Sequence, residues 1–271
     1  MKLKFEVESS GERGGAALAL AALLALACAP ATEAQRQAAP VHGFTVVASF
    51  PHDPSAFTQG LVFADGEFYE STGLSGESSL RRVDVATGKV LQRIDVPEPH
   101  FAEGLALVGD KLLQLTWQSR IGFVYNRKTF AQTGTFRYKT EGWGLAYDGG
   151  SRLVMSDGSD TLTLLDPKTH AVTRTLRVSD AGVPVSNLNE LEWIEGEIWA
   201  NVWTTDRIAR IAPNTGAVAS WVNLDALWPR SQRLPPADVM NGIAYDPATR
   251  RIFVTGKKWP RVYQIRVTGT P

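Results

Sequence analysis

From about residue 42 onward, apolar and polar positions alternate in runs of strand length, broken by Gly, Asp and Thr turns. His42 to Phe50 reads as a strand with nothing before it to pair with. Leu61-Val62-Phe63 then turns at Asp65-Gly66 and returns through Phe68-Tyr69-Glu70, and Ile243-Ala244-Tyr245 returns through Ile252-Phe253-Val254 after Asp246-Pro247. A second hairpin follows each of the earlier ones. The clearest runs from Leu80 to Val85, turns at Thr87-Gly88 and returns from Val90 to Ile94. Asp-Gly and Thr-Gly tips supply residues that tolerate positive φ, as tight hairpin turns require.

Ahead of each first strand stands a related pentapeptide: Phe57-Thr58-Gln59-Gly60-Leu61, Phe101-Ala102-Glu103-Gly104-Leu105, Glu141-Gly142-Trp143-Gly144-Leu145, Asn187-Leu188-Asn189-Glu190-Leu191 and Val239-Met240-Asn241-Gly242-Ile243. The third slots at 59, 103, 143, 189 and 241 lie 40 to 52 residues apart. A period of that length with four strands per unit predicts a propeller blade rather than a sandwich. The last unit has three strands, ending with 261–267, and the unpaired strand 44–50 supplies its fourth, which removes an open edge. The expected fold is an all-β, five-bladed β-propeller of four antiparallel strands per blade, closed by the N-terminal strand.

The 28 basic and 28 acidic side chains balance, so no basic stripe points to nucleic acid or anionic lipid. Residues 1–34, with Lys2, Lys4 and Arg13 ahead of an apolar run from Ala16 to Ala27, read as an export signal too short to span a membrane as a mature helix. Residues 35–43 read as a linker and 44–271 as a single domain. The single cysteine, Cys28, is a candidate lipid anchor, with cleavage after Ala29 or Ala34 as the alternative. The expected location is periplasmic or secreted, and the folded part has no disulfide and no thiol nucleophile.

In a propeller the first strand of each blade lines the channel, so Gln59, Glu103, Trp143, Asn189 and Asn241 should converge on one mouth. The ends of the second strands, carrying Glu70, Trp117, Asp157, Trp203 and Lys257, return to it. Glu103, withdrawn from water among tryptophans, is placed for general acid and base work, and could equally stiffen the channel. Asn189 and Asn241 can orient an amide, stabilise an oxyanion, or bond their own backbone. Trp117 and Trp203 offer flat walls, and Lys257 offers a cation. The sequence has no Gly-x-Ser-x-Gly elbow and no paired histidines at metal spacing; of its four, only His100, beside Phe101, could approach the mouth.

The strings FTQGL, YESTG, SSLRRVDVATGKV, FAEGL, LTWQ, EGWGLAYDG, LVMSDGSDTL, NELEW, IWANVW, MNGIAYD and TGKKWP resemble the plant and bacterial glutaminyl-peptide cyclotransferases, over about residues 44 to 267. The resemblance implies a five-bladed propeller and an acyltransferase that converts N-terminal glutamine of peptides and proteins to pyroglutamate with loss of ammonia. It implies Glu103 as proton shuttle, Asn189 and Lys257 holding or polarising the amide, Gln59 binding substrate, and Phe101, Trp117, Trp143 and Trp203 as pocket wall. Asn241 joins the substrate-binding set by its place in the ring. The enzyme so read is a monomer that needs no cofactor or metal. Two alternatives stand beside it: a metal-dependent propeller lactonase or hydrolase, with Glu103, Asn189, Asn241 and Asp157 around a divalent cation, and a non-catalytic peptide-binding propeller.

Overall fold

The computed structural model describes residues 37–269, so the expected export signal and Cys28 lie outside the described residues. Among the described residues the chain is all-β, with no α-helix and one short 3-10 turn at Arg230–Gln232. A first four-stranded sheet runs Thr58–Ala64, Glu67–Thr72, Ser79–Asp84 and Val90–Asp95 in sequence order. The second contains Ala102–Val108, Lys111–Thr116, Ile121–Asn126 and Gln132–Arg137, and the third Leu145–Tyr147, Leu153–Met155, Thr161–Leu165 and Val172–Arg177. All neighbouring strands in these sheets are antiparallel.

The remaining strands form one eight-stranded sheet. Leu188–Ile194, Glu197–Val202, Arg207–Ile211 and Val218–Asn223 make one half; Met240–Asp246, Arg251–Gly256, Arg261–Thr268 and Val41–Pro51 make the other. Among the described residues, the strand ladder passes from one half to the other only through a short parallel pairing of Val41 and His42 with Trp221 and Val222. Val41–Pro51 otherwise lies antiparallel to Arg261–Thr268, from Gly43 opposite Thr268 to Pro51 opposite Arg261. It starts at Val41, so residues 41–43, expected as linker, belong to the strand.

The first strands of successive sheets contact one another in turn, and Thr58–Ala64 also contacts Met240–Asp246, which gives the sheets a propeller-like arrangement. The core lies between sheets. Ala146, Val154, Leu162 and Leu164 of the third sheet pack on Leu188, Leu191, Ile198 and Ala200. Leu61, Phe68 and Val83 of the first pack on Ala244, Phe253 and Val262 near the C-terminus. Turn chemistry follows the sequence: Asp65 and Gly66 both take positive φ, 53° and 83°, the conformation that fits a two-residue hairpin tip. The longer spacings ahead of Asn189 and Asn241 come from insertions, the ribbon Ser179–Asp180 with Val183–Pro184 and the segment 224–239 around the 3-10 turn.

The recurring glycine has a steric cause. A Cβ on Gly60 would lie 2.5 Å from the backbone N of Leu105, and one on Gly104 2.6 Å from that of Leu145, so each glycine lets the next first strand approach. The one exception, Glu190, sends its carboxylate into the axis, where it accepts the backbone N–H of Leu61 at 3.3 Å and of Ile243 at 2.8 Å. Buried there, with Glu192 nearby, it is held well above the usual carboxylate range.

Candidate active site

Each pentapeptide except the third contains a break in strand pairing. The register shifts between Thr58 and Gly60, Ala102 and Leu105, Leu188 and Leu191, and Met240 and Ile243. These are β-bulges, which release a residue from the ladder and re-aim its side chain. In the third sheet the strand begins only at Leu145, so Trp143 precedes the pairing. Neighbours fix these irregular segments: Gly104 N–H donates to Trp143 O at 2.7 Å, and the Ser71 hydroxyl donates to the backbone carbonyl of Glu103.

The side chains so released line a cavity of about 330 Å³, within the range of small-molecule sites, bounded by Phe57, Gln59, Phe101, Glu103, Trp117, Trp143, Asn189, Trp203, Asp238 and Lys257. Its polar groups are deep: Glu103, Gln59, Asn189 and Lys257 are 5, 2, 2 and 6% exposed, whereas Trp117 and Trp203 stand 36 and 40% exposed at the rim. The aromatic wall is linked by edge contacts. Phe57 meets Phe101 with ring centres 6.2 Å apart, Phe101 meets Trp117 at 5.8 Å, and Trp143 meets Trp203 at 5.6 Å. Lys257 Nζ lies 4.7 Å from the centre of the Phe57 ring.

The hydrogen bonds form a directed chain. Asn241 Nδ2 donates to Gln59 Oε1 at 3.3 Å and to Thr58 O at 3.0 Å, which fixes the Gln59 amide so that its Nε2 donates to Glu103 Oε1 at 3.0 Å. Burial drives the Glu103 carboxyl well above its usual range; Lys257 opposes this and Glu141 adds to it. Burial likewise lowers Lys257, against the pull of Glu103 and Asp238. Asn189 Oδ1 is buried with no donor among the described residues, an acceptor available to an N–H of a bound molecule.

Eight of the nine residues singled out from sequence line this cavity. Asn241 does not; fully buried, it stands behind Gln59 and orients it. Three other expectations for the mouth are corrected. Glu70 is buried against His52 and Thr58, because both offer its carboxylate donors. Asp157 is occupied by the N–H and hydroxyl of Ser159, and His100 by Ser119 and the Phe123 ring. The four-residue cation set of the lactonase alternative is therefore not gathered on the cavity wall, and no group of three His, Cys, Asp or Glu is placed to hold a metal among the described residues. The wall also includes Phe57 and Asp238, which sequence reading passed over. Phe57 occupies the same pentapeptide slot as Phe101, a legible signal; Asp238 ends an insertion with no repeat pattern. A larger cavity, about 790 Å³, opens at the other end of the first strands, between Val62, Leu107, Tyr147, Trp193 and Tyr245.

Fold and site together define an all-β protein of propeller-like build with a buried acid, amide side chains and a cation at the floor of an aromatic cavity. The chain belongs to the glutamine cyclotransferase family, whose model matches residues 18–267. It is 46% identical over 236 residues to a glutaminyl-peptide cyclotransferase of Arabidopsis thaliana, a match covering 84% of this chain and 72% of that protein. The crystal structure of the Myxococcus xanthus glutaminyl cyclase superposes with a TM-score of 0.79 at 36% identity, covering 86% of this chain and all of the other.

Proposed function

We propose that this chain is a glutaminyl-peptide cyclotransferase acting on peptides and proteins with N-terminal glutamine. The observation that carries the reading is Glu103, a carboxyl buried beside Gln59, Asn189 and Lys257 and held above its usual pKa range. The substrate's α-amine nitrogen attacks its own γ-carboxamide carbon. The ring C–N bond forms, the bond to the amide nitrogen breaks, and ammonia leaves. One proton must pass from the attacking amine to the departing nitrogen, and Glu103 takes and returns it. A carboxyl that burial holds well above its ordinary range can serve both halves of that transfer. Because attack is intramolecular, holding the near-attack geometry supplies much of the rate, and no external nucleophile or cofactor enters the balance.

In this mechanism the Lys257 ammonium polarises the carboxamide oxygen, Gln59 and Asn189 hold the substrate's polar groups, and Phe57, Phe101, Trp117, Trp143 and Trp203 exclude the water that would hydrolyse the amide instead. We assign the fold more finely as a five-bladed propeller whose last blade is completed by the N-terminal strand. The pairing of Val41–Pro51 with Arg261–Thr268 supports this, as does the short, two-residue seam between the halves of the eight-stranded sheet. The apolar run in residues 1–34 supports action after export, in the periplasm or outside the cell.

Incubating the purified chain with a Gln-initiated peptide tests the reaction: each peptide should lose the mass of one ammonia, with ammonia released in equal amount, in buffer with or without EDTA. Absence of turnover contradicts the assignment. Turnover lost in EDTA and restored by calcium or zinc favours the metal-dependent alternative.

A further inference from the structure

The aromatic wall falls into two runs. Phe57, Phe101 and Trp117 form one run of edge contacts and Trp143 with Trp203 another, and what joins them is an acid outside the cavity lining. Glu141 Oε2 accepts the indole N–H of Trp117 at 2.6 Å and that of Trp143 at 3.0 Å, while Oε1 accepts the Gln118 amide at 3.3 Å. Trp143 is backed on its other side by Gly158, where a Cβ would stand 2.7 Å from the ring. Trp117, 36% exposed at the rim, meets the Phe101 ring on one side, and its indole N–H is held by Glu141.

We propose that Glu141 is a positioning residue that ties the two halves of the substrate wall together through a single carboxylate oxygen shared by Trp117 and Trp143. Its reach extends to the acid. Burial works against the Glu141 charge, but the bonds from Trp143, Trp117 and Gln118, with Arg120 nearby, hold it below the usual carboxylate range and so favour its charged form. The charged groups that act on Glu103 are then Lys257, which draws its proton off, and Glu141, which helps retain it. One side chain thereby sets both the shape of the wall and part of the potential at the floor. Sequence reading passed Glu141 by because it occupies the first slot of its pentapeptide, where the other copies carry Phe, Asn or Val.

The proposal rests on the cyclotransferase reading for its kinetic readout, and a spectroscopic one is independent of that reading. Glu141→Ala should raise KM for a Gln-peptide on the order of tenfold, the size of one charge-assisted hydrogen bond, with a smaller change in kcat. Glu141→Gln should raise KM less, since its amide oxygen can still accept one indole N–H. Both should move the acid limb of kcat/KM to lower pH, because Glu103 loses a neighbour that favours its protonated form. Both should alter the near-ultraviolet circular dichroism of the indoles in the ligand-free protein. If Glu141→Ala does not fold, the isosteric Glu141→Gln carries the test through its acid limb and its spectrum. Wild-type KM, acid limb and indole spectrum in these variants overturn the proposal. A wild-type protein that releases no ammonia sinks the cyclisation reading instead, and the indole spectra still decide whether Glu141 holds the wall.

Discussion

Glu103 and Lys257 are buried in one small cavity, and each alters how readily the other carries charge. The cation lowers the pKa of Glu103 against the larger, opposite effect of burial. Lys257→Met should therefore leave Glu103 protonated to higher pH and move the acid limb of kcat/KM upward. That direction is opposite to the one expected for Glu141 variants, and pH–rate profiles of the two separate an electrostatic effect from general damage. Loss of the ammonium would also remove the group proposed to polarise the carboxamide, so kcat should fall about a hundredfold, as for the removal of one oxyanion donor elsewhere. An unmoved acid limb in Lys257→Met would show that the two groups are not coupled.

The strand Val41–Pro51 is held at its end by a buried cluster as well as by its ladder. His52 donates to Trp259 O at 2.6 Å through Nδ1 and pairs with Glu70 at 2.9 Å through Nε2, while Thr58 donates to the same carboxylate oxygen at 2.7 Å. With acceptors on both ring nitrogens, the imidazolium is the form that satisfies the site. Burial opposes its charge and is the largest single influence, but Glu70, the Trp259 carbonyl and Asp53 together outweigh it and raise His52 above its ordinary 6.5. Glu70 is lowered from 4.5, its burial outweighed by His52, Arg81 and Thr58. The His52 share of stability is thus full below pH 6.5 and lost as pH rises through its folded pKa. The Glu70 share is full above pH 4.5 and lost as pH falls through its own. Glu70→Gln should cost about 3 kcal/mol near pH 5.5, the lower range for breaking a buried pair, and less at pH 9. Urea midpoints of both proteins at the two pH values check this; an equal loss at both would contradict a charged His52. Truncation to residue 51 removes most of the strand itself and leaves Arg261–Thr268 as an open edge. It should lower the midpoint of the whole domain, and an unchanged midpoint would rule out closure by this strand.

For the molecule as a whole, the repeat was the legible part. Alternation, Gly turns and the 40 to 52 residue spacing predict units of four strands, and the shared third slot puts Gln59, Glu103, Trp143 and Asn189 on one mouth, where the cavity has them. What remained hidden were features without periodicity. Bulges do not show in a hydrophobic pattern, so the means by which Glu103 leaves its ladder could not be read. Asn241 shares the slot but finds acceptors in Thr58 and Gln59 before it reaches the cavity, and Glu70 is drawn away by His52. Asp238 sits in an insertion, and Glu141 in a slot that looked variable. The fold thus gathers groups from positions 57 to 257 around one carboxyl, and the proposed mechanism stands on that carboxyl exchanging a proton. Glu103→Gln keeps its shape and its bond to Gln59 but cannot do so. With circular dichroism and Gln-peptide binding unchanged, ammonia release should fall on the order of a hundred- to ten-thousand-fold, the usual contribution of general acid–base catalysis. A folded Glu103→Gln protein that cyclises Gln-peptides within about threefold of the wild-type rate would be incompatible with a contribution of that size, and would leave Glu103 as a carboxylate that only stiffens the channel.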